Sequence, residues 1–247
     1  MYKYFLKRVF DALIAGIAII VLCPVWLILL LVIYVDDPGP IFFTQKRVGR
    51  KKKGVLTHFK ILKFRTMKTS TPRDIPTHLL ENPDQYITRV GKFLRKTSLD
   101  ELPQILNIFI GHMSLIGPRP ALWNQYDLIA ERDKYGANDV RPGLTGWAQI
   151  NGRDALEIED KAKYDGEYVD KLSFGFDVKC FFGTILSVLK SDGVVEGGTG
   201  EIEKEQKKQA EERKAKAQGD NDTPIQEKKV ENDAKQEDKE TKNDEDK

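Results

Sequence analysis

The chain has 247 residues, with 40 Lys and Arg against 38 Asp and Glu, a net charge of +2. The balance is uneven: residues 201–247 hold 12 basic and 16 acidic side chains, leaving 28 and 22 for residues 1–200, a net of +6. That excess suits an anionic partner such as a membrane surface, a nucleotide or a phosphate, whereas nucleic acid finds no zinc-finger spacing, no RNP-like aromatic strand and no uniformly basic recognition helix.

The N-terminal stretch Ala12–Val35 runs for 24 residues without a charged side chain. As a straight helix it would reach about 36 Å, enough for a bilayer core. The run is long for a signal peptide, and no small-residue cleavage site follows it. Lys3, Lys7 and Arg8 precede it and Lys46, Arg47, Arg50, Lys51, Lys52 and Lys53 follow it, so both flanks carry the charge of a cytoplasmic side. Cys23-Pro24 stands mid-run, where Pro24 lacks an N–H and crowds the carbonyl of Ile20, favouring a kink. A re-entrant helix and a kinked span both fit these residues.

Beyond the turn-rich Asp36-Asp37-Pro38-Gly39-Pro40, strands are expected over Ile41–Lys46 and Leu56–Phe64, with the KKK cluster at a solvated hairpin tip near anionic lipid. Thr69–Pro83, with Pro72, Pro76 and Pro83, reads as a mobile loop. Leu102, Ile105, Leu106 and Phe109 have helical spacing, and Gly111 ends the run. Trp123–Tyr135 is expected to be helical, and Val140–Arg153 to be loop and strand. Val178–Leu189 places Phe181, Phe182, Ile185 and Leu189 on one side of a helix, facing either the core or a membrane interface. Residues 201–247 have no aromatic residue and only Ile202, Ile225 and Val230 as large apolar side chains, so a charged disordered tail is expected, with a transient helix up to about Gln218.

Only Cys23, Cys180 and the scattered His58, His78 and His112 could act as thiol or imidazole ligands. They support neither a histidine metal site nor a Ser-His-Asp triad, and the cysteines read as free thiols in a reducing compartment.

The segment Thr97–Gln104, TSLDELPQ, admits two readings. Ser98 and Glu101 fit a capping box, while Asp100 and Glu101 could instead present two carboxylates to a substrate. Pro103 disfavours a helix beginning at Ser98 and moves its start toward Asp100. Either start puts both acids in a first turn, where the helix dipole would keep Asp100 ionised.

Four blocks together resemble the monotopic phosphoglycosyl transferases, bacterial sugar transferases that load a phosphosugar from a nucleoside diphosphate sugar onto a polyprenyl phosphate. They are KRVFDALIAG leading into the apolar run, KFRTM at Lys63–Met67, LRKTSLDELPQILNIFIGHMSLIGPRP at Leu94–Pro120 and RPGLTGWAQINGR at Arg141–Arg153. The resemblance covers about residues 1–195. Where the family commonly has Ser-Pro at the kink, this chain has Cys23-Pro24.

The resemblance implies Asp100 as nucleophile, Glu101 as its catalytic neighbour and Mg²⁺ at Asp100. Lys63, Arg95, Arg119, Arg141 and Arg153 fall in the matched blocks and are the candidate phosphate donors. Asp177 also matches a family position, to orient one of these cations or bind the sugar. The expected architecture is α+β: a re-entrant membrane helix at 1–36, a small cytoplasmic catalytic domain with interfacial amphipathic helices at 37–200, and the tail at 201–247. The implied partners are a UDP-sugar, polyprenyl (undecaprenyl) phosphate and membrane lipid at the inner membrane, and a homo-oligomer is compatible with them; a membrane-anchored glycosyltransferase that releases UDP and a non-enzymatic anionic-lipid-binding scaffold are the alternative readings.

Overall fold

The structure is a computed structural model that describes residues 2–71, 83–152 and 156–190. The expected tail, residues 72–82 of the polar loop and the candidate Arg153 lie outside the described residues. By its contacts the chain divides into two units, Met1–Thr199 and Gly200–Lys247, and all the described residues belong to the first.

After a π-helical turn at Tyr2–Leu6, helix α1 runs from Lys7 to Asp36 as one element with Pro24 inside it. It is the one described helix long and apolar enough to cross a membrane. Its sequence is apolar all round, so hydropathy does not say which side packs. The structure selects a stripe at three- and four-residue steps: Lys7, Asp11, Ala15, Ile19, Leu22, Trp26, Leu29 and Ile33 lie against the protein body. Ala15 is small and fully buried, and at Gly16 an added Cβ would stand 3.4 Å from the Phe109 ring. The opposite side of α1, Leu13, Ile17, Ile20, Leu27, Leu31 and Val35 among it, is exposed, Ile20 at 76%.

Both ends of α1 are fastened to the same unit. At its start, Lys7 bonds to Asp177, Arg8 donates to the carbonyls of Ile108 and Phe109, and Asp11 accepts from Ser114 Oγ and Leu115 N. At its end, Asp36 accepts from Val90 N, and Asp37 pairs with Arg65.

Strands β1 (Phe42–Lys52) and β2 (Val55–Phe64) form an antiparallel hairpin in which Phe43 faces Lys63 and Phe42 faces Phe64. The strands extend further than the sequence suggests, because Lys51 and Lys52 pair with Leu56 and Val55. The turn is only Lys53-Gly54, both at positive φ (48° and 79°), the two-residue geometry that matches strand twist. A register shift between Val48 and Lys51 marks a bulge at Gly49-Arg50.

Helix α2 (Arg89–Lys96) is capped by Thr88, whose hydroxyl accepts from Gly91 N. A tight turn at Leu99–Glu101 leads into α3 (Gln104–Phe109), which stops before Gly111 at φ +92°. Then come β3 (Ser114–Ile116), α4 (Tyr126–Asp133), β4 (Gly143–Thr145), α5 (Trp147–Ile150), α6 (Ile158–Asp170) and α7 (Phe174–Lys190). β3 and β4 pair in parallel as a second two-stranded sheet. The fold is therefore α+β, and most of it is helix. The expected 123–135 helix shortens to Tyr126–Asp133, and the expected loop at 140–153 contains the extra helix α5. On α7 Cys180 is buried, while Phe174, Phe181, Phe182, Ile185 and Leu186 are exposed, so much of the expected apolar side does not pack into the core.

Candidate active site

The two acids of TSLDELPQ do not form a capping box. Ser98 is in the left-handed region at φ +54°, its side chain caps nothing, and Glu101 reaches cations instead of the Ser98 N–H. In the three-residue turn that follows, positions three apart eclipse. Leu99 and Leu102 go to the apolar core against Leu94 and Phe64, leaving Asp100 and Glu101 between them to turn toward β2. Pro103 then stands at the start of α3, where its missing N–H costs nothing. Asp100 is 4% exposed and Glu101 6%.

Three elements meet here. Lys63, next to last on β2, places Nζ 2.7 Å from Glu101 Oε1 and 3.4 Å from Asp100 Oδ2. Arg119, in the loop after β3, donates to Glu101 Oε1 at 2.9 Å. Arg95, on α2, donates to Thr66 Oγ1 at 2.9 Å, close enough for its charge to act on Asp100. The Arg119 loop is held from behind: Arg132 on α4 donates to the Arg119 carbonyl and pairs with Asp165 on α6, both side chains almost fully buried.

The two carboxyls differ in electrostatic state. Burial raises the Asp100 pKa, Lys63 opposes it, the neighbouring Glu101 charge adds to the rise, and the net direction is upward. This corrects the expectation of a dipole-stabilised Asp100: the acid stands in a short tight turn before α3 and not in an α-helical first turn, so desolvation outweighs it. Burial pushes Glu101 the same way, but Arg119 and Lys63 overcome it and hold Glu101 well below the usual carboxylate range. Asp100 Oδ1 is buried with no hydrogen-bond partner, and so is Gln104 Nε2. An orphaned carboxylate oxygen is the feature a cation or a substrate phosphorus would satisfy. Among the described residues no group of three or more His, Cys, Asp or Glu side chains could hold a metal. Glu101 is already bonded to Lys63 and Arg119, so Asp100 is the carboxylate left to serve as a ligand.

Lys63, Arg95 and Arg119 thus gather around the acids, while two other candidates go elsewhere. Arg141 donates Nε to the Gly111 carbonyl at 3.2 Å, at the far end of α3. Asp177 accepts from Lys7 at 2.7 Å, from Tyr168 at 2.8 Å and from Tyr2, so the cation it orients is Lys7 and none of the proposed phosphate donors. Thr66, which accepts from Arg95, is a neighbour of the cluster that side-chain type did not single out, and Gln104 stands one helical turn after Asp100 in the same motif. Both cysteines are free.

A buried acid with an unpartnered oxygen stands among cations on a body carrying a membrane-length helix, an arrangement suited to anionic groups. Comparison makes this specific: the chain belongs to the bacterial sugar transferase family, which it matches over residues 2–191. It is 40% identical over 188 residues to the UDP-glucose:undecaprenyl-phosphate glucose-1-phosphate transferase of Escherichia coli (strain K12), covering 73% of this chain but only 39% of that protein. It is 42% identical over 193 residues to the uncharacterized sugar transferase EpsL of Bacillus subtilis (strain 168), covering 76% of this chain and 90% of that protein. The UDP-N-acetylgalactosamine-undecaprenyl-phosphate N-acetylgalactosaminephosphotransferase of Aeromonas hydrophila is 37% identical over 195 residues, 76% of this chain and 45% of that protein. The chain thus spans under half the length of two of these relatives and nearly all of the third.

Proposed function

We propose that this enzyme transfers a phosphosugar from a UDP-sugar to a polyprenyl phosphate at the cytoplasmic membrane face, with Asp100 as the covalent nucleophile. The observation that carries the reading is the asymmetry of the acid pair: Asp100 keeps a buried unpartnered oxygen, while Glu101 is clamped by Lys63 and Arg119. The printed activities of the E. coli and Aeromonas relatives supply the substrate class.

In the first step an Asp100 oxygen bonds to the sugar-bearing phosphorus, and the bond from that phosphorus to the bridging oxygen breaks, releasing UMP with its electron pair. In the second, an oxygen of the lipid phosphate attacks the same phosphorus and returns Asp100 as carboxylate. One anhydride replaces another through an acyl phosphate, so no further energy source is needed. Lys63, Arg95 and Arg119 supply positive charge where the diphosphate accumulates negative charge. Glu101, held anionic by two cations, is a poor proton acceptor near neutral pH and serves to position them. A lipid phosphate monoester, with a second pKa of about 6, needs little deprotonation in any case.

Mg²⁺ fits the donor set. Mg²⁺ sites commonly use one or two carboxylates and complete their shell with water and substrate phosphate, and Asp100 Oδ1 is such an oxygen. When bound it would neutralise charge on the diphosphate.

For topology, both ends of a 30-residue helix of about 45 Å are bonded to one compact unit, and basic residues flank it on both sides. These features favour a helix that enters the membrane and leaves on the side it came from, with Pro24 as the bend.

The test is intact mass. With UDP-sugar and Mg²⁺ but no lipid, the protein should gain the mass of a sugar phosphate and release one UMP, then lose that mass when polyprenyl phosphate is added. Asp100→Asn should gain nothing. Turnover with no mass gain, or with release of UDP, would refute the covalent phosphosugar route.

A further inference from the structure

A second gathering of cations lies at the N-terminal end of α1. Lys3, Lys7, Arg50 and Arg141 line one cavity with Asp11 and Asp139, and no residue of the Asp100 cluster borders it. Two acids do not balance four cations. Asp11, which accepts from Ser114 Oγ at 2.7 Å and Leu115 N at 3.0 Å, acts on Arg141 by its charge without forming an ion pair, and Lys7 is paired with Asp177. Asp139 is exposed at the rim and makes no ion pair with either arginine.

The two guanidiniums are placed by backbone. Arg141 is held through Nε by the Gly111 carbonyl, and its two terminal nitrogens have no acceptor among the described residues. Arg50 sits in the β1 bulge, a device that re-aims a side chain. Its carbonyl accepts from Thr57 Oγ1 at 2.7 Å, while its guanidinium likewise has no acceptor among the described residues. Burial, followed by the nearby Arg50 and Arg8 charges, pushes the Arg141 pKa down and outweighs the opposing charge of Asp11. An anion entering between the two arginines relieves that crowding, and planar guanidiniums with N–H pairs turned to the cavity match phosphate oxygens.

Position identifies the source of that phosphate. Lys3 and Lys7 lie within the turns just before the uncharged run that begins at Ala12, and the neighbouring Phe10 and Leu13 are exposed apolar side chains. The cavity therefore stands at the level where α1 enters the apolar phase, which is the headgroup layer whether the helix crosses or returns. We infer that the Arg50–Arg141 cavity binds the phosphate of an anionic phospholipid headgroup, at a site separate from Asp100. The assignment is independent of the covalent mechanism.

The experiment is calorimetric titration of the full chain, in neutral detergent, with dihexanoyl-phosphatidylglycerol, dihexanoyl-phosphatidylcholine and inorganic phosphate. The phosphatidylglycerol should bind more tightly than either of the others. Arg50→Gln, checked for an unchanged unfolding temperature, should weaken it about tenfold, the scale of one charge-assisted hydrogen bond, while Arg119→Gln at the catalytic cluster should leave it unchanged. If Arg50→Gln does not fold, Arg50→Lys decides: it keeps the charge but not the fork, and should bind several-fold more weakly than wild type. Wild-type affinity in whichever variant folds, or an equal loss in Arg119→Gln, would overturn the separate site. Inorganic phosphate or phosphatidylcholine binding as tightly as phosphatidylglycerol would overturn the anionic-headgroup assignment.

Discussion

Asn107 offers a quantitative test of how Lys63 is held against Asp100 and Glu101. It is buried on α3, and its side-chain amide treats β2 as a neighbouring strand would: Leu62 N donates to Oδ1 at 2.9 Å, and Nδ2 donates to the Lys60 carbonyl at 2.9 Å. These bonds fix the strand one residue before Lys63, and α3 carries the end of the DELPQ motif. Asn107→Leu keeps the volume but leaves one backbone donor and one backbone acceptor without partners. An orphaned buried group costs about 1–3 kcal/mol; with Lys60 itself exposed, the sum is about 2–4 kcal/mol. At roughly 2–4 °C per kcal/mol for a domain of this size, the unfolding temperature in detergent should fall by roughly 4–16 °C. Activity should fall with it, because Lys63 loses its register against Glu101. The chemistry can be separated from the packing with Asn107→Asp, which retains the acceptor but turns the donor into an oxygen facing the Lys60 carbonyl. Its carboxyl should titrate higher in the folded than in the unfolded chain, so this variant should recover stability relative to wild type as pH falls and the proton restores a donor. A shift under about 2 °C for Asn107→Leu, against the expected scale, would mean that β2 is positioned by its hairpin and core contacts alone. No acid recovery for Asn107→Asp would remove the hydrogen-bond account.

Three further outcomes follow from the geometry. Because the folded Asp100 pKa lies above its unfolded value of about 3.9, its contribution to stability is present below that pH and is lost as pH rises through the folded pKa. Asp100→Asn, measured without Mg²⁺ or substrate, should therefore melt higher than wild type by a margin that widens from acid to neutral pH, and a variant less stable than wild type at neutral pH would contradict this. At Gly91 an added Cβ would fall 2.1 Å from the Thr66 carbonyl oxygen, so Gly91→Ala should lift α2 away from Thr66 and lower both stability and turnover by disturbing Arg95; wild-type melting and rate would show that α2 can shift at no cost. A cysteine fused ahead of Met1, in a background lacking Cys23 and Cys180, should stay unlabelled by a membrane-impermeant thiol reagent on intact cells; labelling from outside would make α1 a span and leave the Asp100 chemistry untouched.

Much of the outline was legible in the chain itself because it depends on local pattern. The uncharged run and its basic flanks, the β-branched and aromatic strands around Gly54, and the helix after Pro103 ending at Gly111 are all set by neighbours a few residues apart. What the tertiary structure alone decided were matters of equal local signal. Every side of α1 is apolar, so only the shape of the body selects the Ala15–Leu22–Leu29 stripe for packing. Arg119 and Arg141 are both arginines beside proline in matched motifs, yet the loop after β3 brings one to Glu101, while the end of α3 draws the other to Gly111 and the lipid-facing cavity. Asp177, read as a partner for a phosphate-binding cation, is claimed by Lys7 from the opposite end of the chain. Asp100 is unlike an ordinary N-terminal acid because Leu99 and Leu102 drag it into the core as they bury. Desolvation is a property of what surrounds a group in space, and composition and spacing carry no record of it.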